Sequence, residues 1–206
     1  MRIFLFSAAV FLLKVSDASA HHPWDGQTPT LWYQGLVSGL GHPVLGADHL
    51  AFLIALSVIC AVCLKNRKSL LAFIPSTATG VGIHLFLASR PFEIPFYETA
   101  VSASVIAAGV FILRSPSVRP AVLFSSLAGL FHGYAYGSAI VGAETSPLVF
   151  YVIGLAAVQA ALVIALSFAA LKLLSVSSFF RAGFSKTAGL ALIACGAALV
   201  ASSAAF

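Results

Sequence analysis

Charge is what this sequence has least of. Asp, Glu, Lys and Arg together make up 8% of its 206 residues, while 60% are hydrophobic. A soluble domain carries about 25% charged residues. A chain this poor in charge cannot cover a water-facing surface, so the composition directs the reading to a membrane. Cysteine is also scarce. Cys60, Cys63 and Cys195 all lie in apolar runs, which argues against a secreted disulfide framework. No P-loop, no H-E-x-x-H and no G-x-S-x-G occurs, so ATP-driven, zincin-type and serine-hydrolase chemistry lose their usual sequence marks. The net charge of +5 does not point to nucleic acid, because its positions follow membrane orientation instead.

What the sequence has is long apolar runs. Residues 1–20 read as a signal peptide: Arg2 supplies the positive start, Ile3 to Leu13 the short apolar stretch, and Ala18-Ser19-Ala20 the small-residue cleavage site. Cleavage after Ala20 makes His21 the mature N-terminus. Six apolar segments follow, at about 45–64, 70–89, 97–113, 120–141, 148–171 and 187–206, each near the roughly 20 residues needed to span a bilayer. The links between them carry Pro, Ser or charge. Backbone groups inside a bilayer must be paired within the segment, so these runs are read as helices. The expected fold is all-α: a polytopic membrane bundle of six transmembrane helices after a cleavable signal peptide, with residues 21–206 as one domain.

Orientation follows from the basic residues. With the mature N-terminus outside, the links after segments one, three and five face the cytoplasm. They carry Lys65, Arg67, Lys68, Arg114, Arg119, Lys172, Arg181 and Lys186, leaving only Arg90 outside. The expected location is a bacterial inner membrane with a periplasmic mature N-terminus. The remaining acids, Asp25, Asp48, Glu93, Glu98 and Glu144, all fall on the outer side or in the outer half of a segment. So do His21, His22, His42, His49 and His84. An outer half rich in carboxylate and imidazole suits the collection of a cation.

The densest cluster, Gly39-Leu40-Gly41-His42-Pro43-Val44-Leu45-Gly46-Ala47-Asp48-His49, opens segment one. Ionisable residues inside a span are costly and indicate function by default, and imidazole with carboxylate suits Ni, Co, Zn and Cu. On a regular helix His42 and His49 share a face but stand about 10 Å apart. Either they are successive stations or the helix is irregular there. Pro43 and its glycines suggest that Trp32 to Gly41 is a separate short or re-entrant element, with a new helix starting near Pro43. Glu98 begins segment three. His132 lies within segment four, with Tyr136 on the same face. The mature N-terminus, His21-His22, is a candidate outer collector, and Cys60 with Cys63 forms a weak C-x-x-C near the inner end of segment one.

These residues resemble the HupE/UreJ family. His42-Pro43, Gly46 and Asp48-His49 fit its H-P-x-x-G-x-D-H signature, followed by Glu98 with Ser104-Val105 and by His132-Gly133-x-Ala135. Many members have a second histidine where this chain has Tyr136. The resemblance implies a nickel or cobalt permease, not an enzyme, with His42, Asp48, His49, Glu98 and His132 carried over as its signature residues. The expected function is import of Ni²⁺ or Co²⁺ as transported substrate, with no permanently bound cofactor. The expected partners are the metal ion and the lipid bilayer, and no nucleic acid. A homo-oligomer or a metalloenzyme maturation partner stays open. The alternatives are a non-transporting accessory subunit for metalloenzyme maturation and, behind it, an intramembrane metalloenzyme.

Overall fold

The computed structural model describes residues 27–62, 67–90, 94–114, 117–176 and 178–203. Seven α-helices and no strands form among the described residues. They are α1 (Trp32–Leu45), α2 (Ala47–Val62), α3 (Lys68–Ala88), α4 (Tyr97–Leu113), α5 (Val118–Gly137), α6 (Thr145–Val176) and α7 (Ser178–Ser203), with a single 3-10 turn at Ser138–Ile140 after α5. The expected signal peptide and its cleavage site lie outside the described residues, as do His21, His22, Asp25, Cys63 and Glu93.

The helices are apolar enough to identify a membrane protein. By length and composition α3, α6 and α7 can each cross a bilayer, and α1 with α2 makes a fourth crossing if the bent pair is one broken span. Helix α4 has 17 residues. Helix α5 has 20, but its apolar character is diluted by Ser125, Ser126, His132, Tyr134 and Tyr136. The six expected segments thus all fall on helices, with α1 as an additional element before the first.

Two expectations are corrected. The separate element expected before the first span is present as α1, but the break falls at Gly46, three residues beyond Pro43. Pro43 sits in the last turn of α1, where its missing N–H removes only one bond. Gly46 is extended (φ −74°, ψ 111°), its N–H still donates to His42 O at 3.0 Å, and its own carbonyl accepts from Leu50 N at 2.9 Å. The chain turns 76° there while these two bonds flank the break. The second correction concerns the link at 172–186. It is almost wholly helical, because α6 runs on to Val176 and α7 starts at Ser178. Lys172 and Lys186 read as loop residues, but a long basic side chain can leave an apolar helix for the interface without ending it.

Helix α2 is the axis of the bundle. Twelve of its 16 residues are buried, among them Phe52, Leu53, Leu56 and Ile59 at full burial. A helix apolar all round has no solvent face to present, so it takes the centre. The most extensive helix contacts form around it as three pairs: α3 with α5, α1 with α6, and α4 with α7. Small residues set these distances, because helices in lipid associate through close packing. A Cβ on Gly133 would lie 2.1 Å from Thr77 O on α3, and one on Gly39 would lie 2.1 Å from Tyr151 O on α6. Gly133→Ala is therefore expected to cost about 1–3 kcal/mol by overpacking. Gly82→Ala, where nothing lies within 4 Å, is expected to be neutral or slightly stabilising. Thermal unfolding of the two variants in one detergent checks the contrast, and equal Tm values would refute the packing argument.

Candidate metal site

The site is built where α1 ends and α2 begins. Gln34 fixes the start of α1, its Oε1 accepting from Thr30 N at 2.9 Å and Leu31 N at 3.1 Å. Gly39 then brings the next turn of α1 against α6. That approach puts His42, one turn further on, beside Tyr151, with Nδ1 3.0 Å from Oη. Tyr151 is fully buried and donates to Tyr136 O at 2.8 Å.

The bend at Gly46 does what a straight helix cannot. It brings the His42 and His49 rings edge to face, with centroids 5.4 Å apart. A Cβ at Gly46 would lie 2.6 Å from His49 Cδ2, so the ring position itself requires glycine here. His49 reaches across to α5, with Nδ1 2.9 Å from His132 Nδ1. His132 is fully buried between Phe52 and Phe73, whose ring centroids lie 4.4 and 5.9 Å away. Its Nε2 is 3.0 Å from Ser104 Oγ on α4. Tyr136, one turn beyond His132, packs 4.2 Å from His49 and 5.1 Å from His42. Five helices thus contribute to one polar cluster.

Asp48 stands half-buried in the first turn of α2, where the helix dipole favours a carboxylate. Its Oδ1 accepts from His49 N at 2.8 Å, and Ser102 Oγ lies 3.5 Å from Oδ2. It is close enough to act electrostatically on both His132 and Tyr136.

The structure therefore brings together four of the five signature residues; His21 and His22, the candidate outer collectors, lie outside the described residues. Glu98 is the exception. It is exposed in the first turn of α4, one turn before Ser102, and among the described residues no hydrogen bond joins it to the histidines. His84 belongs to a different group on α3, with Tyr134 at 4.5 Å and Tyr97 at 6.2 Å. Cys60 is eleven residues along α2 from His49, or about 16 Å of helix. It lines an apolar cavity of about 220 Å³ with Arg67, Val163 and Phe168. Glu144 is exposed ahead of α6.

The sequence reading missed Tyr151 and Gln159, both on α6 and both fully buried. Gln159 Oε1 meets Thr77 Oγ1 at 3.2 Å. Their signal was available. A tyrosine and an amide inside a long apolar run are costly unless they have partners.

Three neighbouring imidazoles and a carboxylate form a donor set for a late first-row dication. In this arrangement, however, His49 and His132 hydrogen-bond to each other. Among the described residues no three His, Cys, Asp or Glu side chains are grouped to hold one metal ion. A dication held by all three imidazoles would have to displace part of this hydrogen bonding.

Comparison with curated proteins and with solved structures gives no match. The HupE / UreJ protein family does match, over residues 9–199, a range that contains the bend, all four clustered residues and every helix up to the last turn of α7. The chain is a membrane protein of the HupE/UreJ family.

Proposed function

We propose that this protein is a secondary carrier that imports Ni²⁺ or Co²⁺ across a bacterial inner membrane. The observation that carries the reading is the buried His42–His49–His132 cluster beside Asp48 at a broken helix. Broken helices supply midplane ion sites in secondary transporters, and the family suggests nickel or cobalt transport or an accessory role. On this reading six helical crossings follow a removed signal peptide, with α1 dipping in from the periplasmic side. His21, His22 and the exposed Glu98 collect the ion. It then sheds water and passes to the His42–His49–Asp48 region. Imidazole selects late first-row metals over Mg²⁺ and Ca²⁺. An inside-negative potential provides about 4.6 kcal/mol per 100 mV for a dication, twice the single-charge value, so uptake can proceed without ATP.

Tyr151 is expected to matter although it is not a ligand. Outer partners of metal-binding histidines typically carry 10- to 100-fold in affinity. Tyr151→Phe removes the oxygen that His42 Nδ1 meets, and it should weaken nickel binding by roughly that factor. Isothermal titration of the purified protein reads this, and unchanged affinity would detach His42 from the site.

A second reading, that of an accessory subunit for metalloenzyme maturation, draws support from the absence of a ready three-residue cage among the described residues. Uptake of labelled Ni²⁺ and Co²⁺ into proteoliposomes holding only this protein separates the two. Saturable uptake that rises with an imposed inside-negative potential supports the carrier. No flux from folded, correctly oriented protein supports the accessory subunit.

A further inference from the structure

The protons of the histidine cluster can be assigned from the carbonyls at its edges. Tyr151 Oη lies 2.8 Å from Tyr136 O, and Ser104 Oγ lies 2.5 Å from Val101 O. A carbonyl has no proton to give, and two oxygens this close repel unless a proton lies between them. The hydroxyl must therefore donate in each contact. A hydroxyl has one proton, so each of these two can only accept from its histidine. His42 Nδ1, 3.0 Å from Tyr151 Oη, then carries a proton. So does His132 Nε2, 3.0 Å from Ser104 Oγ.

The consequence passes along the cluster. A neutral imidazole protonated at Nε2 has a bare Nδ1. His132 Nδ1 therefore accepts, and His49 Nδ1, 2.9 Å away, donates. His42 and His49 thus share one tautomer: Nδ1–H held by a protein acceptor, and the basic lone pair on Nε2. In His132 one ring nitrogen donates and the other accepts within the protein. Two parallel relays result, each anchored on a backbone carbonyl: Tyr136 O to Tyr151 to His42, and Val101 O to Ser104 to His132 to His49.

We infer that His132 is a positioning residue and not a metal ligand. With Ser104 it fixes the tautomer and orientation of His49. With each Nδ1 engaged in this way, Nε2 is the nitrogen through which His42 and His49 would meet an ion on the transport reading. Outer partners of metal-binding histidines work in this way, by accepting from the nitrogen that does not bind. The role for the ion rests on the transport reading, whereas the tautomers do not.

The test therefore begins without metal. In histidine-labelled protein in nanodiscs, ¹⁵N spectra distinguish protonated from bare ring nitrogens, and single His→Gln variants assign them. His42 and His49 should be protonated at Nδ1 and His132 at Nε2. Ser104→Ala should let His132 and His49 populate both tautomers and leave His42 unchanged. A purely structural role for Ser104 would not move these signals. A proton on His132 Nδ1 in the wild type overturns the inference.

The second arm uses Ni²⁺. His132→Ala should bind it roughly 10- to 100-fold more weakly. His132→Asn, whose amide oxygen can still accept from His49 Nδ1–H, should recover most of that loss. X-ray absorption should count the same number of imidazoles on nickel in the wild type and in His132→Asn. One imidazole fewer in the variant makes His132 a ligand and ends the proposal. A folded wild type that binds no nickel ends the transport reading instead, and the metal-free spectra still decide the tautomers.

Discussion

His49→Ala should abolish saturable nickel uptake, with an effect larger than the roughly 10- to 100-fold typical of an outer partner. His49 is the hub of the cluster. It meets His132 through Nδ1, packs against Tyr136 and His42, and has its backbone N–H on Asp48. Removing the ring takes away an imidazole donor and leaves His132 Nδ1 buried without its partner. The bend at Gly46 is held by backbone bonds, Gly46 N to His42 O and Leu50 N to Gly46 O, and α2 keeps its apolar core of Phe52, Leu53, Leu56 and Ile59. His49→Ala should therefore still fold, as judged by size-exclusion profile and thermal unfolding. His84→Gln is the matching control. His84 is comparably buried, and its ring packs on Tyr134 and Tyr97. Uptake close to wild type in His84→Gln, with none in His49→Ala, is the expected pair of results in proteoliposomes. Loss in both would mean that buried histidines serve stability in general and that the cluster is not special.

Asp48→Asn should reduce uptake by at least about 10-fold, a factor worth about 1.4 kcal/mol. Two unit charges 4 Å apart attract by about 4 kcal/mol at an effective dielectric near 20, so the expected loss is a modest part of what a nearby carboxylate can offer a dication. The substitution is informative because it keeps shape. The Asn side-chain oxygen can still accept from His49 N, as Asp48 Oδ1 does at 2.8 Å, so the start of α2 is preserved. The charge is lost, and an amide NH2 takes the place of the oxygen that faces Ser102 Oγ at 3.5 Å. Initial rates at a fixed imposed potential read the effect. Wild-type rates in Asp48→Asn would show that the carboxylate is merely an end-of-helix group.

Much of this arrangement could be read from the sequence, because the bilayer leaves few choices. Apolar runs near span length must be helices, and polar residues within them must meet something. That reasoning marks His42, Asp48, His49 and His132 as functional, and the family resemblance groups them with Glu98. It failed where several residues could serve the same local purpose. Gly39, Gly41, Pro43 and Gly46 are all credible break points. The outcome depends on contacts far along the chain: Gly39 is used for approach to Tyr151 O, and Gly46 makes room for the His49 ring. Resemblance groups Glu98 with the histidines, yet it is exposed one turn before Ser102. Tyr151 and Gln159 were passed over because each stands alone among apolar neighbours. Their partners, His42, Tyr136 and Thr77, come from other helices, and no local pattern connects them.

The central claim is that the bend at Gly46 makes a metal site out of two histidines that a straight helix would hold apart. An anomalous difference map at the nickel edge, from crystals of the metal-loaded protein, tests it directly. The account predicts a peak within ligand distance of His42 and His49, with Asp48 beside it. A nickel peak elsewhere in the folded protein, with His42 and His49 still in their present contacts, would contradict it.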